Sequence, residues 1–192
     1  MSKKFRIAVF ASGSGTNAER IFQHFKNHDL IEVKLLLSNN ADAYVLQRAA
    51  KANVSFKVFS RQEFREGVVL QWLQTGEITH IVLAGFLWLI PEELISAYPN
   101  RIINIHPALL PKYGGKGMYG SKVHEAVKAA GDKETGITIH LVNEKYDEGR
   151  ILFQASVAVN STDTADEIAN KVHQLEYAHY PKVIEKWILG KL

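Results

Sequence analysis

"FRIAVFASGSGTNAERIFQHFK", residues 5–26, reads as a buried strand, a tight glycine turn and an amphipathic helix in immediate succession. "FRIAVFA" (5–11) is an almost unbroken apolar run, and in "TNAERIFQHFK" (16–26) Ala18, Ile21, Phe22 and Phe25 recur at helical spacing on one face. Between them, Gly13-Ser14-Gly15-Thr16-Asn17-Ala18 matches G-x-G-x-x-G/A, a turn that brings backbone and a helix N-terminus up to an anion. A dinucleotide fold wants an acid at the end of the second strand, where "LLLSNNAD" offers Ser38, Asn39 and Asn40; no GK[ST] follows for a P-loop. A mononucleotide or sugar phosphate, with Thr16 and Asn17 as side-chain donors, stays open beside a dinucleotide and a turn that serves only the fold.

Outward from this unit, strand and helix signals alternate. Strands are expected at 31–38, 55–59, 79–86 ("THIVLAGF") and 101–105 ("RIINI"), with helices near 43–52 and 61–75 and a helix start at Pro91-Glu92-Glu93. The repetition predicts an α/β fold: a single-domain, open, mostly parallel sheet with a Rossmann-like N-terminal half (1–110) and helices on both faces. After residue 110 the style changes. "KYGGKGMYGSK" (112–122) is a glycine-rich loop, "VHEAVKAAGD" a short helix ending at Gly131, and 136–142 and 150–159 have strand composition. The last helix opens on the capping box Thr164…Glu167, is expected to break at Pro181, and ends by Gly190.

Composition narrows the function classes. With 192 residues, 46% hydrophobic and 22% charged, the chain can bury a core as one domain over 1–192. No cysteine is present, which removes disulfides and thiolate metal sites and suits a cytoplasmic location. The apolar stretch after the N-terminal lysines is too short for a signal core or a membrane span. Net charge is +3, but the basic residues are scattered, which favours small anionic substrates over nucleic acid.

A second stretch carries the chemistry. "RIINIHPALLPKYGG" (101–115) ends a strand with Asn104 and His106 on one side, then departs through Pro107 and Pro111. In open parallel sheets ligands bind beyond the carboxyl ends of the strands. An amide beside an imidazole there can stabilise a developing oxyanion, although a capped strand end and a buried core histidine satisfy the same spacing. Asp147, in the turn "EKYDEG" (144–149), would raise the His106 pKa if folding brings them together. His106, His140 and Asp147 lack H-x-x-x-H or H-E-x-x-H spacing, so no metal is expected.

Taken in order, "SGSGTN", "LAGF", "NIHPALLPKY", "GITIHLV…YDEG" and "LEYAHYP" resemble the phosphoribosylglycinamide formyltransferases, within the folate-dependent formyltransferases, over essentially the whole chain. The resemblance implies transfer of the formyl group of 10-formyltetrahydrofolate, a co-substrate, to the amine of glycinamide ribonucleotide in de novo purine biosynthesis, without a metal. It implies that Asn104 and His106 stabilise the tetrahedral oxyanion, that His106 donates a proton, and that Asp147 keeps His106 charged. Gly15, Thr16 and Asn17 would hold the ribonucleotide phosphate, and His173, Gln174, Leu175 and Glu176 would face the glycinamide. The folate would lie along Leu87, Trp88, Leu89 and Ile90 and the turn Asn143, Glu144, Lys145, Tyr146, Asp147, with Arg61, Asn104, Thr138 and His140 as further contacts. On this reading 1–110 is the phosphate-binding half, and 111–192 carries the folate site and the C-terminal helix. The implied partners are the two small molecules, with neither nucleic acid nor membrane, in a monomer or weak homodimer.

Two features depart from the family pattern. The loop "YGGKGMYGSK" is longer than the usual "YPG" segment, and Trp88 stands where arginine is common. Methionyl-tRNA formyltransferase, formyltetrahydrofolate deformylase and sugar formyltransferases share the core. The first is expected to need an added C-terminal domain and the second an N-terminal one. A non-catalytic Rossmann module or a small dehydrogenase leaves Asn104, His106 and Asp147 unexplained together.

Overall fold

Alternation along the first strand sets the layers. In the computed structural model, which describes residues 4–192, β1 (Phe5–Phe10) sends Ile7 and Val9 to one face and Ala8 and Phe10 to the other, each face meeting its own apolar core. Lys3 of the N-terminal basic pair lies outside the described residues. The chain continues through α1 (Thr16–Phe25), β2 (Ile31–Ser38), α2 (Val45–Lys51), β3 (Ser55–Val58), α3 (Arg61–Arg65), α4 (Val68–Thr75) and β4 (His80–Leu83). It then forms α5 (Glu92–Ala97), β5 (Ile102–His106), α6 (Ser121–Ala130), β6 (Glu134–Leu141), β7 (Ile151–Ala158) and α7 (Ala165–Ile188).

The seven strands make one open sheet in the order β3-β2-β1-β4-β5-β6-β7. β1 to β5 pair in parallel, whereas β6 is antiparallel to both of its neighbours. Helices α1, α2 and α7 pack on the Ile7/Val9 face, and α3, α4 and α5 on the Ala8/Phe10 face. The mostly parallel sheet and its two helical layers thus match the expectation. The antiparallel edge follows from the short β6–β7 connection, which has no room for a crossover.

Two helix expectations need correction. The run 61–75 is two helices, because Gly67 sits at φ +78 between them; α3 opens on a Ser60/Glu63 capping box. The last helix does not break at Pro181 but runs unbroken from Ala165 to Ile188. An interior proline costs about 3 kcal/mol. Here Pro181 is buried between Tyr180, Val183 and Ile184, whose burial in the sheet core offsets that cost at about 1.5–3 kcal/mol for each large side chain. Tyr180 also donates its hydroxyl to the Leu83 carbonyl at 2.8 Å, tying α7 to the end of β4.

Candidate active site

The chain order reverses between β1 and β4, and beyond their carboxyl ends opens a cavity of about 670 Å³. The glycine turn supplies Gly15, Thr16 and Asn17 to its wall, the β4 exit Leu87 to Ile90, and β5 Asn104 and His106. His140, Asn143, Lys145, Tyr146 and Asp147 line it from β6 and the following turn, and His173 and Glu176 from α7. Sequence positions up to 159 apart are therefore brought together: the Asn17 amide donates to Glu176 Oε2 at 3.0 Å.

The glycine turn is held on every side. Ser12 N–H donates to the Gly85 carbonyl at 3.1 Å, and Ser12 Oγ accepts from Leu87 N–H at 3.1 Å, locking the turn to the β4 exit. From α2, Val45 N–H donates to Gly13 O at 3.1 Å and Arg48 Nε to Ser14 O at 2.8 Å. Gly15, at φ +75, caps α1, and among the described residues no side chain makes a capping hydrogen bond there, which leaves the first N–H groups to an anion. Asn17 differs from expectation in that its amide N–H is already engaged with Glu176, while its Oδ1 is buried without a partner among the described residues.

At the end of β5 three expected residues converge. His106 Nδ1 lies 3.5 Å from Asp147 Oδ2, and Asn104 Nδ2 lies 3.5 Å from Asp147 Oδ1. Register explains the rest: Asn104 on β5 is paired with His140 on β6, so Asn104 Nδ2 donates to His140 Nε2 at 3.2 Å. His140 Nδ1 in turn donates to Leu141 O at 2.8 Å, which fixes its tautomer. Asp147 occupies the left-handed region, φ +57, which aspartate adopts more readily than most residues.

The protonation of His106 departs from the expected charged state. Burial lowers its pKa more than the Asp147 charge and the Tyr113 hydrogen bond raise it, so the net direction is down and the resting ring is neutral at neutral pH. His106 Nε2 lies 2.7 Å from the Tyr113 carbonyl, which only accepts, so Nε2 carries the single proton. A second proton would therefore enter at Nδ1, facing Asp147. Burial pushes the Asp147 carboxyl upward, but the neighbouring His140 and His106 rings and the Gly115 N–H together bring it below the usual range.

Five expected residues stand back from the wall. Arg61 reaches the rim by stacking its guanidinium 4.4 Å over Trp88, which does line the cavity. Thr138 is fully buried and committed: Oγ1 donates to Ala108 O at 2.7 Å and accepts from Leu110 N–H at 3.0 Å. It braces the proline-bearing exit of β5. Glu144 and Gln174 are exposed, and Leu175 packs against the core. Among the described residues, no group of three or more His, Asp or Glu side chains is arranged to hold a metal ion.

Sequence reasoning missed three participants. Tyr113 and Gly115 act through backbone, the carbonyl of one on His106 and the N–H of the other on Asp147 Oδ2 at 3.0 Å, and backbone groups leave no residue-type signal. His124 of α6 also lines the cavity; in sequence it looks like one more residue of an amphipathic helix.

Over residues 5–184 the chain matches the family described as formyl transferase. It is 40% identical over 189 residues to the chloroplastic phosphoribosylglycinamide formyltransferase of Arabidopsis thaliana, covering 95% of this chain but 65% of the plant protein. The chain thus spans slightly under two thirds of that relative's length. With the phosphoribosylglycinamide formyltransferase of Bacillus subtilis it shares 36% identity, over 98% of this chain and 95% of that one. The crystal structure of glycinamide ribonucleotide transformylase 1 from Symbiobacterium toebii superposes with TM-score 0.90 at 31% identity, covering 99% of this chain and 90% of that chain.

Proposed function

The chain belongs to the formyl transferase family, and we propose that it transfers the formyl group of 10-formyltetrahydrofolate to the amine of glycinamide ribonucleotide, yielding formylglycinamide ribonucleotide and tetrahydrofolate in de novo purine synthesis. The observation that carries this reading is the meeting of Asn104, His106 and Asp147 at the wall of one cavity that also contains the glycine turn.

The phosphate binds at the free N-terminus of α1, between Gly13 and Asn17, and the glycinamide lies beside Glu176. The folate ring rests on Leu87 to Ile90 and the 143–147 turn. Trp88 replaces a common arginine, but the Arg61 guanidinium stacked on it returns a cation to that rim.

As the amine attacks, its lone pair forms the new C–N bond and the carbonyl pair moves onto oxygen, to return and re-form the carbonyl when the bond from the formyl carbon to the folate nitrogen breaks. Asn104 donates to that oxygen with the N–H that reaches Asp147 only at 3.5 Å, the limit of a hydrogen bond. His106, neutral at rest, gains the proton shed by the amine, and Asp147 stabilises the imidazolium through Nδ1–H. Nε2, released from Tyr113, then returns a proton to the folate nitrogen as its bond to the formyl carbon breaks.

The chain acts as one domain on two small molecules, in a cytoplasmic monomer or weak homodimer. Among the described residues no helix is long and apolar enough to cross a membrane. The deciding assay offers glycinamide ribonucleotide and water as competing acceptors of the formyl group. Formylated ribonucleotide formed only in the presence of the amine is expected; formate released equally without it would make the protein a deformylase, and no turnover under either condition would overturn the reading.

A further inference from the structure

We propose that His124 is an additional ribonucleotide-binding residue, whose imidazole hydrogen-bonds a ribose hydroxyl and so links α6 to the occupied site. The inference rests on the ribonucleotide reading above. His124 stands near the start of α6, the helix that follows the glycine-rich loop, and is 3% exposed. Its Nδ1 is buried and has no hydrogen-bond partner among the described residues. An unpaired buried nitrogen is uncommon, because it forfeits solvation and receives nothing in return. The ring nevertheless borders the cavity, beside Asn17, His173 and Glu176, and meets the His173 ring edge-on at 6.3 Å.

The neighbours decide what this imidazole can take. Glu176 is 5% exposed, and its Oε2 already accepts from Asn17 Nδ2 at 3.0 Å and from His173 Nδ1 at 2.9 Å. A phosphate next to that carboxylate would be repelled, and the free N-terminus of α1 offers the phosphate a better seat. A hydroxyl carries no charge and both gives and accepts a hydrogen bond. Burial, and then the His173 charge, hold His124 below the ordinary histidine pKa, so the ring offers one donor and one acceptor, the complement of a sugar hydroxyl. Between the phosphate seat and Glu176, the group of a ribonucleotide that comes within reach is the ribose.

Ribose 5-phosphate and inorganic phosphate test this without turnover. The wild-type chain should bind ribose 5-phosphate more tightly than phosphate. His124→Leu, of similar bulk, should weaken ribose 5-phosphate binding about tenfold, the loss expected for one hydrogen bond, and leave phosphate binding unchanged. His124→Asn, with an amide near the Nδ1 position, should recover part of the loss. Unchanged affinity in His124→Leu, or equal weakening of both ligands, would overturn the inference, as would a wild-type chain that ignores the sugar. Should the leucine variant fail to fold, the ring nitrogen resonances of His124 in the wild-type chain decide: they should move with ribose 5-phosphate and not with phosphate, and immobility overturns the inference. A wild-type chain that binds neither ligand would remove the ribonucleotide reading itself, a result distinguishable from the loss of His124 alone.

Discussion

Two glycine-bearing segments face each other across the cavity, and they are built on opposite plans. The turn at 12–17 is pinned by a hydrogen bond to the Gly85 carbonyl and by others from Leu87, Val45 and Arg48, none of which is assigned to the chemistry except the rim residue Leu87. The loop at 113–120 has Gly115, Gly117 and Gly120 in left-handed conformations with open space around them. Two of its anchors hold residues proposed for the chemistry: the Tyr113 carbonyl on His106 and the Gly115 N–H on Asp147. The first segment is a cradle finished before any ligand arrives. The second holds the His106–Asp147 pair proposed to act on substrate, so the order of the loop and the state of that pair are coupled.

The largest expected effect breaks that coupling. His106→Ala removes the proposed proton carrier and the loop anchor together, and turnover should fall on the order of 10²–10⁴-fold. Trypsin should also cut faster after Lys116, within the loop. Near-normal turnover in a folded variant would remove His106 from the mechanism. An unchanged cleavage rate would show that the Tyr113 contact contributes nothing to loop order.

Next in size is a contrast within the cradle. A Cβ on Gly15 would lie 2.2 Å from Val45 Cγ2 at φ +75, whereas a Cβ on Gly13 meets nothing within 4 Å. Gly15→Ala should therefore cost stability on the order of 2–4 kcal/mol, from backbone strain and overpacking together, as read by denaturant unfolding. Gly13→Ala should leave unfolding almost unchanged and place its methyl in the cavity, weakening ribonucleotide binding about tenfold on the scale of one hydrogen bond. Calorimetry showing full ribonucleotide affinity in Gly13→Ala would move the phosphate elsewhere.

This contrast also shows where sequence reading reaches. Apolar runs and their periodicity are local, so all seven strands and the core face of α1 could be read directly. The positions of Asn104 and His106 at a strand end followed from the same local logic. The roles of Gly13 and Gly15 could not be separated, because the difference lies in Val45, thirty residues away. Pro181 was misread for a similar reason, since local propensity disfavours it and only tertiary burial compensates. The charge of His106 was misjudged because Asp147 was visible in the sequence and burial was not. Thr138 was placed in the site by family pattern, but the register sets it under the β5 exit as a brace.

The smallest effect in energy gives the sharpest comparison, because histidines that line the same cavity titrate in opposite directions. Against the ordinary histidine value of 6.5, the hydrogen bond to Glu176 raises His173, while burial lowers His106 and His124. His173 thus contributes stability that is fully present below 6.5 and lost as pH rises through its raised folded value. His106 and His124 act in reverse: the unfolded chain takes up protons first, so their contribution is full above 6.5 and falls as pH drops towards their lowered folded values. A ring-proton NMR titration should find His173 titrating above the other two. In Asp147→Asn the carboxylate that raises His106 is gone, so His106 should titrate lower still while His173 stays where it was. A His106 curve unmoved by that substitution would sever the ring from its acid, and the imidazolium of the proposed formyl transfer would have to be stabilised from elsewhere in the cavity.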